Sequence, residues 1–135
     1  MNTVPRGLRI NNPLNIRKSG ISWRGMSIEQ PDTDFVAFKT PELGIRAACR
    51  ILANYQMSGI KTIKAMIYRW APPSDNNPTD IYAETVAKAC GCHTEDTIDI
   101  VKLLHLIVPA MIRVEQGQQP FSDVVIKTGI EDAFA

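Results

Sequence analysis

The stretch His105-Leu106-Ile107-Val108-Pro109-Ala110-Met111-Ile112-Arg113-Val114-Glu115-Gln116-Gly117-Gln118-Gln119-Pro120-Phe121-Ser122 reads as an apolar helix that closes on a carboxylate, then a glycine, then a polar turn. From Ile98 to Val114 apolar side chains fall on nearly every face, the pattern of a buried helix. Lys102 and Arg113 argue against a membrane span. Glu115 sits where this rod meets the Gly117 stop signal, on one helical stripe with Leu104, Val108 and Met111. A carboxyl group against such a wall loses hydration, which favours its protonated form, the state a general acid needs near neutral pH. The plainer reading is a solvated residue at a helix end.

The rest of the chain is consistent with that centre. Its 135 residues suggest one domain, 1–135, with a single sizeable core. With 44% hydrophobic and 21% charged residues it has the balance of a soluble globular protein. A formal net charge of +1 argues against a dedicated nucleic-acid partner. Arg6, Arg9, Arg17, Lys18 and Arg24 form a local basic group, either a solvated face or a surface for an anionic polymer. No apolar run opens the chain, so synthesis in the cytoplasm without a signal peptide is expected. Three cysteines, an odd count, point to reduced thiols. Cys90-Gly91-Cys92-His93 offers three donors in four residues with no distant partner cluster, so neither a metal nor any other cofactor is expected.

Residues 1–13, with Pro5, Gly7 and Asn11-Asn12-Pro13, predict an irregular or extended lead-in. Asn15-Ile16-Arg17, Ser19-Gly20 and Ile21-Ser22-Trp23 predict a hairpin turning at the glycine, and Asp34 to Lys39 a third strand. Together these pieces make a small N-terminal antiparallel sheet. Thr40-Pro41-Glu42 starts a helix to about Tyr55, with Ile45, Ala48, Cys49 and Leu52 inward. A second helix runs from Thr62 to Trp70, and residues 71–79 form a polar, proline-rich loop of the kind that carries function. Thr79 caps a third helix to about Cys90, with Ile81 or Tyr82, Val86 and Ala89 inward. Thr97 caps the central helix, Pro109 should kink or split it, and Ser122 or Asp123 caps a last short helix broken near Gly129. The class is mainly α, in the α+β sense, with that small sheet at the N-terminal end.

No P-loop, dinucleotide fingerprint or nucleophile elbow is present. His105 reads as a buried structural imidazole, and His93 as a loop residue without an obvious partner. What remains is carboxylate chemistry: Glu115, with Asp32, Asp34, Glu42, Asp80 and Glu84 as possible helpers. Glu42 has a sufficient role at its helix N-terminus.

At this point the chain resembles known enzymes. Ala110 to Ser122, with Glu115-Gln116-Gly117 and Pro120, is similar to the helix-Glu-Ser-Gly-x-x-Pro stretch of lytic transglycosylases and goose-type lysozymes, whose glutamate is the catalytic acid. Gln116 stands where that serine is usual. Asn11-Asn12-Pro13-Leu14-Asn15-Ile16-Arg17, Phe35 to Glu42, and Thr79-Asp80-Ile81-Tyr82 resemble segments of bacterial glucosaminidases. As a whole, the chain resembles lysozyme-like virion and prophage proteins of phages. The motif order is altered: the sheet-like segment leads and the glutamate helix comes late. Either the lysozyme-like domain is circularly permuted, which is the favoured reading, or Glu115 is a coincidence.

The resemblance implies an enzyme that cleaves peptidoglycan between N-acetylmuramic acid and N-acetylglucosamine, as a lytic transglycosylase with Glu115 as its acid. If Asp32 or Asp34 lies across the cleft, hydrolysis becomes available. Asn12, Asn15, Asn77, Thr79 and Tyr82 would bind sugar amides and hydroxyls, and Trp23 or Trp70 would stack on a sugar face. Turn formation and core packing are the alternatives for these residues. The implied partners are peptidoglycan glycan strands and other virion proteins, and the implied place of action is the cell wall or periplasm, on a virion. A different class also fits: a non-catalytic structural or wall-binding module of a virion or secretion machine. A peptidoglycan endopeptidase fits less well, for want of a metal or nucleophile.

Overall fold

The computed structural model describes residues 4–135. Among them the regular structure is helical: α1 (Arg6–Arg9), α2 (Pro41–Met57), α3 (Ile63–Trp70), α4 (Thr79–Cys90), α5 (Leu104–Gln116) and α6 (Asp123–Ala133), with single 3₁₀ turns at Pro73–Asp75 and Val101–Leu103. Three helix starts follow the capping chemistry of the sequence; α4 does not, because Thr79 is its first residue and Pro78 precedes it with no side-chain cap. The Thr40, Thr62 and Ser122 hydroxyls accept the N–H groups of Leu43, Ala65 and Val125, and Pro41 occupies the first turn of α2. α5 lies at the centre, with Leu104, Ile107, Val108, Met111 and Ile112 wholly inaccessible. On α2, Ile45, Ala48, Cys49 and Leu52 face the same core. On α4 the inward residues are Tyr82, Ala83, Val86 and Ala87, whereas Ile81 and Ala89 are exposed.

The expected N-terminal antiparallel sheet is not present. Two isolated antiparallel bridges, Arg17 with Phe35 and Met26 with Phe38, stand in its place. Side-chain amides have taken over the backbone partners that a ladder would have used. Buried Asn12 donates through Nδ2 to the carbonyls of Ile16 (2.9 Å) and Val36 (2.8 Å), and its Oδ1 accepts the Ile16 N–H (2.9 Å). Gln30 accepts the Ala37 N–H and donates to the Ala37 carbonyl, each at 2.8 Å. Asn15, the expected first strand residue, is left-handed at φ 56°, which interrupts any extended run. The segment from 10 to 39 is therefore a pinned loop. Its lead-in also differs from expectation, since residues 6–9 form α1.

Four further expectations change. The central helix begins at Leu104 and Thr97 does not cap it: the Ile98 N–H is held by the Lys61 carbonyl at 2.8 Å, and Asp99 Oδ1 accepts the Lys102 N–H at 3.2 Å beside the 3₁₀ turn that precedes the helix. Pro109 leaves α5 a single continuous helix. A proline inside a helix costs roughly 3 kcal/mol, which a few buried aliphatic side chains at roughly 1.5–3 kcal/mol each outweigh. α6 passes through Gly129 unbroken. A Cβ there would come within 2.6 Å of Ile45 Cγ2, so at this glycine α6 packs tightly against α2. His105, expected in the interior, is exposed.

Candidate active site

The last turn of α5 delivers Glu115 to a cleft of about 400 Å³. One wall is the pinned loop, with Asn15, Arg17, Trp23 and Phe35; the other comes from α2, α3 and the segment after α3, with Tyr55, Trp70, Asp75 and Asn77. Half-buried Glu115 lines the cavity. Three donors converge on its carboxylate. Asn15 Nδ2 donates to Oε1 at 2.9 Å across 100 positions of sequence. Tyr82 hydroxyl donates to Oε2 at 2.9 Å, and Trp70 Nε1 to the same oxygen at 3.3 Å.

A carboxylate offers about four lone-pair positions over its two oxygens. Oε2 holds two donors and Oε1 one, so the open position is on Oε1. That position is free to meet a further donor.

Each donor is itself fixed. Tyr82 is buried, and burial, the Glu115 charge and the hydrogen bond between them all push its phenol upward, so it remains a neutral donor. Trp70 stands edge-on to Tyr55, with ring centroids 6.5 Å apart and planes at 70°. Asn15 is oriented by Gln116, whose buried amide donates to the Pro13 carbonyl (2.9 Å) and to Asn15 Oδ1 (3.0 Å). With Oδ1 thus accepting, Asn15 Nδ2 faces Glu115. Gln116, standing where the resembled motif has serine, therefore supports the carboxylate through Asn15. Gly7 makes room for this pair: a Cβ there would overlap both Asn15 Oδ1 and Gln116 Nε2 and lie 2.6 Å from the Asn12 carbonyl.

The residues expected at a site fall into two groups. Asn15, Trp23, Trp70, Asn77 and Glu115 line the cleft, while Tyr82 is buried behind it and touches the site through its hydrogen bond to Glu115. Asn12 and Thr79 do not face it. Asn12 is fully inaccessible and serves the backbone, while the buried Thr79 hydroxyl donates to the Ala71 carbonyl at 2.6 Å. Asn77 Nδ2 donates to the Pro72 carbonyl at 3.1 Å, bracing its own loop. Asp32 and Asp34 are not across the cleft from Glu115. Both pair with Arg6, Asp32 through two nitrogens of the guanidinium, and Asp32 Oδ1 also accepts the N–H groups of Asp34 and Phe35.

Arg17, Phe35, Tyr55 and Asp75 are lining residues that sequence reasoning did not place in the site. Arg17 and Asp75 lay in stretches already marked, the basic group and the polar loop; nothing local distinguished Tyr55 from a core aromatic. Burial pushes the Cys90 thiol up to about 11 and raises that of Cys92, which keeps both protonated. No cluster of three or more metal-ligating side chains occurs among the described residues.

A helical protein with a carboxylate held at the side of an aromatic-walled cleft is the class that fold and site define. No family model matches the chain. It is 38% identical over 138 residues to Protein P5 of Pseudoalteromonas phage PM2, an alignment covering 99% of this chain and 85% of that protein. The chain belongs to the family of that phage protein.

Proposed function

We propose that this protein is a peptidoglycan-degrading enzyme that cleaves the bond between N-acetylmuramic acid and N-acetylglucosamine, as a lytic transglycosylase with Glu115 as its single acid and base. The observation that carries the reading is the convergence of Asn15, Trp70 and Tyr82 on Glu115 inside a cleft large enough for sugar rings. The motif resemblance around Glu115-Gln116-Gly117 supports it independently. Membership in a phage family supports a setting on a virion, where a bacterial wall is the barrier.

In this mechanism the proton on Glu115 Oε1 passes to the glycosidic oxygen. The C1–O bond breaks with its electron pair on the departing N-acetylglucosamine oxygen, leaving an oxocarbenium-like muramic residue. The substrate's acetamido oxygen shares the positive charge. Ionised Glu115 then takes the proton of the muramic 6-hydroxyl, whose oxygen bonds to C1 and closes the anhydro ring. Glu115 ends protonated again. Trp23 and Trp70 offer faces or edges to sugar rings, and Asn77 offers an amide.

Asp75 favours a second outcome. It is the other carboxylate lining the cleft, exposed, with no side-chain hydrogen bond among the described residues. With water held there, the same acid would give hydrolysis and reducing ends.

The test is release of soluble muropeptides from purified sacculi, with mass spectrometry of the products. Wild type should release anhydro-ended fragments, and Glu115→Gln should keep its helical circular dichroism and lose release by at least about a hundredfold. Full turnover by the glutamine variant sinks the reading. Wall binding without any release by wild type would instead mark a non-catalytic module.

A further inference from the structure

Two guanidiniums stand over the Phe35 ring, Arg6 at 4.5 Å and Arg17 at 5.5 Å from its centre. Their electrostatic situations differ. Arg6 is neutralised by Asp32 and Asp34. Arg17 makes no salt bridge among the described residues, yet it lines the Glu115 cleft.

Arg17 is also held in place. The backbone on either side of it is tied to the Phe35 segment, Lys18 N–H to the Asp34 carbonyl at 2.8 Å and Val36 N–H to the Ile16 carbonyl at 3.0 Å. Asp32 in turn fixes the Phe35 N–H at 2.9 Å. A cation stacked on an aromatic ring keeps its planar fork of N–H donors free at the edge, the geometry that recognises a carboxylate. The other two charged groups of the cleft are acids, Glu115 and Asp75. Neither acid attracts a substrate carboxylate, so Arg17 is where such a group would settle.

We propose that Arg17 is a specificity-determining residue that binds a carboxylate of the glycan strand and selects muramic-type strands over neutral N-acetylglucosamine polymers. The inference rests on the glycan reading of the cleft. The carboxylate has two sources, the lactyl group of a bare muramic residue and the stem peptide attached to it.

Binding separates these sources and does not need turnover. Isothermal titration of the Glu115→Gln protein is run with three tetrasaccharides: neutral chitotetraose, alternating N-acetylglucosamine and N-acetylmuramic acid with free lactyl groups, and the same strand carrying L-Ala-D-Glu. At least one anionic strand should bind about tenfold tighter than chitotetraose, and added salt should narrow the gap. Whichever strand gains identifies the source. Arg17→Gln in the same background should remove about that tenfold advantage and leave chitotetraose unchanged. Equal affinity for all three strands, an equal loss for neutral and anionic strands on substitution, or no binding of any strand overturns the inference. Carboxylate selectivity in a wild-type protein that releases nothing from sacculi would sustain Arg17's role and refute the enzymatic reading instead.

Discussion

Gly7→Ala gives a prediction in which two physical expectations have opposite signs. Gly7 lies in α1, and an exposed helical glycine replaced by alanine normally gains about 0.5–1 kcal/mol. Here the added methyl must share space with Asn15 Oδ1, Gln116 Nε2 and the Asn12 carbonyl. The carbonyl is backbone, on the residue whose side chain pins the loop, so the two amides have to yield. Gln116 then loses bonds to Pro13 and Asn15. Two neutral hydrogen bonds at about 1 kcal/mol each, with a buried amide left partly unsatisfied at roughly 1–3 kcal/mol, total about 3–5 kcal/mol. Set against the helix gain, the net destabilisation is about 2–4 kcal/mol.

At this chain length each kcal/mol moves the midpoint by about 4 °C, so Tm should fall by roughly 8–16 °C. Urea and thermal unfolding followed by circular dichroism measure it. Muropeptide release should fall as well, because Asn15 is freed from Glu115. Adding Gln116→Ala makes room for the methyl, so the double variant should be less destabilised than the sum of its parts. A Gly7→Ala protein as stable as wild type, or more stable, would refute the steric argument and with it the claim that Gln116 orients Asn15.

Tyr82→Phe removes one of the two donors on Glu115 Oε2 while keeping the buried ring, and a charge-assisted bond of about 1.5–3 kcal/mol predicts a loss of turnover of roughly tenfold or more. An unchanged rate of muropeptide release would show that the hydroxyl has no part in catalysis. Acid should loosen the Arg6–Asp32–Asp34 clamp. Arg6 and then the backbone N–H groups of Phe35 and Asp34 hold the Asp32 carboxyl well below its ordinary 3.8. A group with a depressed folded value contributes stability above about pH 4 and loses it as pH falls further. Asp32→Asn should therefore be less stable than wild type at neutral pH and show a flatter decline in urea midpoint between about pH 5 and pH 2. Equal slopes would remove Asp32 from the acid response.

The helical part of the fold was legible because its signals are local. Thr40-Pro41-Glu42, Thr62 and Ser122 announce helix starts through groups two or three residues away. The sheet was misread for a related reason. Ile16 and Val36 are buried as apolar strand residues would be, although Val36, Ala37 and Phe38 are buried in succession and do not alternate; sequence gives no sign that Asn12 and Gln30 side chains will occupy the backbone groups a ladder needs. Thr97 was a plausible cap, overridden by the tertiary bond from Ile98 to Lys61. At the site, Glu115 and Trp70 were readable from position and residue type, and Tyr82 from its resemblance. Asn12 and Asn15 carry the same side chain three residues apart, yet one is sealed in the core and the other touches Glu115. Only the fold decides between them.

The bond from Asn15 to Glu115 also bears on when such a cleft can exist. Its two ends are separated by 100 positions, and Gln116, which sets the angle of Asn15, follows Glu115 immediately. A ribosome emits the Asn15 end long before the Glu115 end, so the cleft has no floor until the Glu115 end follows. Contacts this distant in sequence form late and slowly. A protein proposed to act on a bacterial wall, and made inside a bacterium, would thus stay chemically blank until Glu115 and Gln116 have joined the Asn15 end.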